Sequence, residues 1–203
     1  MILASGSPQR RAILEQLGVA YNIVVTGVEE LDAGPPQEVA VENARRKALA
    51  AAGQRDIGRT AAEPQLSSNN GELVLGVDTL VELDERIYGK PADRNEAAAT
   101  LRALGGRTHR VISGVCVIED GAERSAAAIT EVSFRALDPA AIDWYLETGE
   151  WQGRAGGYAI QGRGAALVQS IRGDYLNVVG LPVATLLDLL PSLLFQRFSG
   201  NKG

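Results

Sequence analysis

The sequence predicts an α/β fold, and three features predict it. Helical patterns alternate with short apolar runs along the chain. Several helix starts carry capping signals. One long apolar run, Leu73 to Leu83, meets a polar Asp84-Glu85 pair that can fold it back as a hairpin.

Taken in order, Ile2 to Ala4 open a first strand, and Ser7-Pro8 reads as an N-cap followed by proline at the first helical position. Ile13, Leu14 and Leu17 give that helix its apolar face, and Gly18 ends it. Tyr21 to Val25 reads as a second strand. A helix is expected from about Glu38 to Ala52, closed by Gly53. After the hairpin, Asp93 and Glu96 have the spacing of a capping box for a helix through Leu104, stopped by Gly105-Gly106. Strands follow over His109 to Glu119 and about Ile129 to Phe134, on either side of Asp120-Gly121. Asp138-Pro139 starts a short helix with Ile142, Tyr145 and Leu146 inward. A glycine-rich stretch from Gly149 leads into a strand over Ala165 to Ile171, and Val183, Leu186, Leu187 and Leu190 fall at helical spacing near the end. The polar, aperiodic stretch 53–72 reads as a surface loop, and 196–203 as a flexible tail.

Length and composition suit a single globular domain over residues 1–203. A net charge of −5 disfavours a nucleic-acid partner. The lone Cys116 sits in an apolar run and suits a reducing, cytoplasmic setting. Residues 1–11 lack a basic segment followed by an apolar one, so no signal peptide is expected. Pro182, Asp188 and Pro191 interrupt the most apolar stretch, which argues against a membrane span.

Five places carry chemistry. Ser5-Gly6-Ser7-Pro8-Gln9-Arg10-Arg11 lies where a strand gives way to a helix N-terminus, a natural anion site. Arg10 and Arg11 oppose the helix dipole there, a conflict that a bound phosphate would resolve. A plain N-cap with solvated arginines fits the local pattern equally well. Asp78, inside LVLGVDTLVEL, is costly unless paired or metal-bound, and it suggests a strand end facing a cleft. Glu29-Glu30, ordinarily solvated, could complete an all-oxygen site with Asp78 that suits Mg²⁺ or Mn²⁺. Lys47 lies on a helix margin, while Lys90, in Gly-Lys-Pro, is held more rigidly and suits a phosphate contact. Gln161 is either a turn glutamine or an amide that reads a base edge. His109, the only histidine, has no nucleophile motif beside it, which excludes Ser-His-Asp and Cys-His mechanisms.

Together these pieces resemble the Maf proteins, nucleotide pyrophosphatases also described as septum-formation inhibitors. The resemblance runs over Leu3-Ala4-Ser5-Gly6-Ser7-Pro8, Val28-Glu29-Glu30, Arg46-Lys47-Ala48, Gly76-Val77-Asp78-Thr79, Gly89-Lys90-Pro91, Leu104-Gly105-Gly106, Ala155-Gly156-Gly157-Tyr158-Ala159-Ile160-Gln161-Gly162 and Val179-Gly180-Leu181-Pro182. It implies a bent mixed sheet flanked by helices, with two lobes around a central nucleotide-binding cleft. It implies hydrolysis of a nucleoside triphosphate to the monophosphate and pyrophosphate with a divalent cation, Mg²⁺ or Mn²⁺, and it admits a homodimer. Asp78 matches the family's proton acceptor. Lys90 and Glu30 stand with it at the reacting centre, Ser5, Ser7, Arg10 and Lys47 on the phosphates, and Asp78 and Glu30 on the metal. Gln9, Thr79 and Gln161 match positions associated with substrate choice. The Asp-Thr and Ile-Gln-Gly pairings resemble the dTTP/UTP branch rather than the 7-methyl-GTP branch. That first branch usually has Arg where this chain has Gln9, and Glu-Pro-x-Asp-Lys where this chain has Glu150 to Arg154. A non-catalytic nucleotide-binding regulator of division is the alternative from another class.

Overall fold

The computed structural model describes residues 1–56 and 73–194. Most of the loop expected at 53–72, and the tail expected at 196–203, lie outside the described residues. The chain forms a mixed sheet of seven strands flanked by helices. Strand β1 (Ile2–Ala4) leads into helix α1 (Pro8–Gln16), β2 (Asn22–Ile23) and helix α2 (Pro36–Asp56). The hairpin β3 (Leu73–Leu83) and β4 (Arg86–Tyr88) follows, then helix α3 (Arg94–Leu104) and the long antiparallel pair β5 (Thr108–Glu119) and β6 (Ala122–Phe134). Helix α4 (Pro139–Glu147), β7 (Val168–Arg172), α5 (Tyr175–Val179) and α6 (Val183–Leu189) complete the order. The strands lie in the order β2-β1-β3-β5-β6-β7, with β4 also on β3.

The β3–β4 turn forms as expected, with Asp84 and Glu85 both at positive φ (53° and 64°), the geometry of a tight two-residue hairpin. Asp93 caps α3 by accepting from the Glu96 N–H at 2.9 Å, but Glu96 reaches back to the Ala92 N–H rather than to that of Asp93. Four boundaries differ from expectation. Residues 165–167 form the end of a 3₁₀ turn, so β7 begins at Val168 rather than at Ala165. Only Asn22–Ile23 of the second strand pairs with β1. Strand β6 begins seven residues earlier than its apolar run, because the Asp120-Gly121 turn lets polar residues from Ala122 onward pair with β5. Helix α2 continues through Gly53 to Asp56. One glycine costs only about 1 kcal/mol in a helix, and the buried Ala51 one turn earlier anchors this segment.

Each face of the sheet is covered differently. On one side, among the described residues, α2 is the helix that covers the sheet, its Ala40, Ala44, Ala48 and Ala51 stripe fully buried against Ile2, Ala4, Val74 and Cys116 and, nearer its start, Leu80 and Ile112. The other side packs α1, α3, α4 and α6 over Leu75, Val77, Val81, Val111 and Val132. Two glycines set how closely α2 approaches. A Cβ on Gly76 would lie 2.2 Å from the Ala44 carbonyl oxygen, and one on Gly114 would lie 2.1 Å from that of Ala40. Among the described residues, no helix is long and apolar enough to cross a membrane.

The pairing also leaves a gap. Strand β5 occupies one edge of β3 from Leu73 to Glu82. On the other edge β1 pairs with Val74 to Gly76 and β4 with Val81 to Leu83. Among the described residues, Val77 to Leu80 therefore have no strand on that edge. The opening lies at the carboxyl end of β1, where open α/β sheets bind ligands.

Candidate active site

Asp78 sits in this gap. It is mid-strand, not at a strand end as its sequence context suggested; the edge opens there because β1 stops at Ala4. Successive strand residues face opposite ways, so Asp78 points with Gly76 and Leu80 toward α2, and Thr79 points to the other layer. A cavity of about 510 Å³ joins the two sides, a size typical of small-ligand sites. Ten residues singled out in the sequence line it, namely Ser5, Ser7, Gln9, Arg10, Glu30, Lys47, Asp78, Thr79, Lys90 and Gln161, whereas Arg11, Glu29 and His109 do not.

On the α2 side the close approach at Gly76 brings Lys47 and Asn43, one helical turn apart, onto Asp78. The Lys47 Nζ lies 2.6 Å from Asp78 Oδ1 and 2.6 Å from Glu30 Oε1. Asn43 Nδ2 donates to Asp78 Oδ2 at 3.1 Å. The Asn43 amide also clamps Leu31, accepting from its N–H at 2.7 Å and donating to its carbonyl at 2.9 Å. It thereby ties the loop that carries Glu30 to the strand that carries Asp78. Burial opposes the charge on Asp78. The Lys47 charge and hydrogen bond outweigh it, with help from Arg10 and Asn43, and hold this carboxyl below its ordinary range. Asp78 is therefore ionised at neutral pH.

On the other side Arg10 is buried. Its Nε donates to the Gly180 carbonyl at 2.8 Å, one terminal nitrogen to Ser5 Oγ at 2.8 Å and the other to Thr79 Oγ1 at 3.1 Å. Neutral acceptors from three separate segments thus meet the donors of Arg10 that face the protein. Burial lowers the Arg10 pKa, and the charges of Asp78 and Glu30 pull it back up. Three of its five N–H donors are committed, which leaves two for a ligand. Ser7 does not cap α1 with its side chain; its Oγ donates to Gln9 Oε1 at 3.1 Å. Ser7 N–H turns to Ser5 Oγ at 3.2 Å. Lys90 and Gln161 are exposed, and Lys90 makes no ion pair among the described residues.

Four contributors escaped the sequence reading: Asn43, Ser113, Tyr158 and the Gly180 carbonyl. Ser113 is directly opposite Thr79 on β5, with its Oγ 2.8 Å from Thr79 Oγ1. Tyr158 lines the cavity and bonds His109 Nε2 at 2.9 Å beneath it. His109 is 1% exposed, and burial pushes its pKa down to about 4. The residues that stand in place of the usual Glu-Pro-x-Asp-Lys also reach the site. Gln152, Gly153 and Arg154 line the cavity, and Glu150 accepts from the Gly164 N–H at 3.4 Å, beside the turn that bears Gln161.

This site lies in a chain whose residues 1–193 match the model of one family, described as Maf-like protein. A relative from Thermococcus gammatolerans is 42% identical over 189 residues, covering 93% of this chain and 94% of the relative. One from Symbiobacterium thermophilum is 41% identical over 205 residues, covering 100% and 98%. One from Deinococcus radiodurans is 42% identical over 191 residues, covering 94% and 91%. Each of the three relatives is named dTTP/UTP pyrophosphatase. The chain belongs to the Maf-like family.

Proposed function

We propose that this chain hydrolyses a nucleoside triphosphate to the monophosphate and pyrophosphate, with dTTP and UTP as its preferred substrates, in the cytoplasm. The carrying observation is that Asp78, Lys47 and Glu30 converge on one wall of a nucleotide-sized cavity. The names of relatives near 42% identity support the substrate class.

The two sides of β3 divide the work. The triphosphate lies on the α2 side, where Lys47 offers positive charge, with Lys90 of the same cavity wall and the spare Arg10 donors at its boundary. The base lies on the other side, against the apolar wall of Val81, Val111, Tyr158 and Ile160, with Gln9, Thr79 and Gln161 as its polar contacts. Ser5 and Ser7 shape the loop between them.

Asp78 is ionised and accepts a hydrogen bond from the attacking water, aligning it on the α-phosphorus. Its depressed pKa makes it a weak base in the resting site, so the water passes its proton to Asp78 only as the new P–O bond forms. The bond between the α-phosphorus and the bridging oxygen breaks, and Lys47 and Lys90 neutralise charge on the departing pyrophosphate.

The donors present fit a divalent cation. Asp78 and Glu30 already converge on one positive centre, the Lys47 ammonium, and two carboxylates facing a polyanion need a further cation between them. Among the described residues no set of three or more acidic, histidine or cysteine ligands gathers. Asp78 and Glu30 are the residues that would hold Mg²⁺ or Mn²⁺, hard cations that take oxygen ligands. When bound, the ion would supply positive charge to the phosphoryl oxygens.

The test is a panel of triphosphates with Mg²⁺, assayed for pyrophosphate. dTTP and UTP should lead. A preference for 7-methyl-GTP would overturn the substrate assignment. Binding without turnover of any nucleotide would leave the non-catalytic regulator standing.

A further inference from the structure

The hydrogen-bond polarity around Thr79 follows from burial. Ser113 is fully buried, and among the described residues its hydroxyl makes one side-chain hydrogen bond, to Thr79. Thr79 is half-buried and opens on the cavity. A hydroxyl has one hydrogen and two acceptor sites, and a guanidinium can only donate. Arg10 therefore occupies one acceptor site of Thr79. If Thr79 donated to Ser113, the Ser113 hydrogen would be buried with no acceptor, an expensive arrangement. If Ser113 donates, the Thr79 hydrogen is the one left over, and it faces the cavity, where water or a ligand can take it. The second arrangement wins, and both acceptor sites of Thr79 are then filled from behind.

We infer that Ser113 is a positioning residue that makes Thr79 a donor only, so that the cavity selects a pyrimidine with a carbonyl oxygen at that point over one with an amino group. Uracil and thymine carry an acceptor, O4, where cytosine carries the N4 amino donor. The two bases are otherwise nearly the same size, so apolar walls such as Val81 and Val111 cannot separate them, and the direction of one hydrogen bond can. The inference rests on the proposed placement of the base on the Thr79 side.

The experiment is kcat/KM for UTP and CTP with the wild-type protein, Ser113→Ala, Thr79→Val and the double variant, with melting temperature as a control on folding. Ser113→Ala frees one acceptor site on Thr79 and lets its hydroxyl turn. The expected result is a UTP-to-CTP preference that narrows about tenfold, through KM for UTP rather than kcat. In the Thr79→Val background the same Ser113 change should leave the preference where Thr79→Val alone puts it. A Ser113→Ala protein with an unchanged preference, or with equal losses on both nucleotides, overturns the inference. So does a Ser113 effect that persists without the Thr79 hydroxyl. A wild-type protein that releases pyrophosphate from no nucleotide would overturn the proposed function as well, whereas an active wild type with an indifferent Ser113→Ala overturns this inference alone.

Discussion

Replacing Asp78 with asparagine isolates its charge, and the surrounding contacts set the size of two separate effects. The carboxylate accepts from Lys47 on one oxygen and from Asn43 on the other. An asparagine can satisfy only one of them. With its oxygen toward Lys47, its NH₂ meets the NH₂ of Asn43; flipped, its NH₂ meets the ammonium. Either way a buried donor faces a donor, at a cost of about 1–3 kcal/mol. For a chain of this size ~2 kcal/mol corresponds to a melting temperature about 4–8 °C lower, so the fold survives. The rate falls much further. A well-placed proton acceptor is worth about 10²–10⁴-fold, and weaker metal binding adds to that. The assay is kcat for UTP at saturating Mg²⁺, beside a thermal melt. A variant that melts normally folded and keeps more than about a tenth of wild-type kcat would refute the assignment of Asp78 as the group that aligns the water.

Gly76→Ala should lower the melting temperature and kcat together, since its Cβ would lie 2.2 Å from the Ala44 carbonyl and push away the helix that carries Lys47; overpacking of this kind costs about 1–3 kcal/mol, and a wild-type melt would contradict it. His109 should titrate near pH 4 by NMR. Because the unfolded chain takes up this proton first, near the ordinary value of 6.5, stability should fall by about 2 kcal/mol between pH 7.5 and pH 5. A histidine resonance that titrates near pH 6.5 would show that the ring is not buried as described. Gln9→Arg should raise kcat/KM for dTTP and UTP relative to CTP by about 1–2 kcal/mol in transition-state terms, because a five-donor fork favours acceptor-rich partners. Equal changes on every nucleotide would place Gln9 on the phosphates instead.

The sequence showed the site residues more clearly than the arrangement that holds them. Asp78, Lys90 and the Ser5–Arg10 loop break a local rule: a carboxylate in an apolar run, a lysine in a rigid turn, cations at a helix N-terminus. Asn43, Ser113 and Tyr158 break none. A helix readily carries an asparagine and a strand a serine, so their roles exist only once α2 is docked on β3 and β5 is paired in register. The Gly180 carbonyl that anchors Arg10 is backbone and leaves no trace in residue type. Elements with strong punctuation, such as β3, β4 and α3, were readable nearly to the residue. The reach of α2 past Gly53 was not, because burial of its alanine stripe outweighs the weak local preference of one glycine. The mid-strand position of Asp78 is not legible in its local sequence for a related reason: it is the shortness of β1, a neighbour 74 residues earlier in the chain, that opens the strand edge there.

The most direct test of the central claim is hydrolysis of UTP in ¹⁸O-labelled water, with both products analysed by mass spectrometry. Attack on the α-phosphorus, with Asp78 aligning the water, predicts one labelled oxygen in UMP and none in pyrophosphate. Label in pyrophosphate, or UDP and orthophosphate as the products, would contradict it.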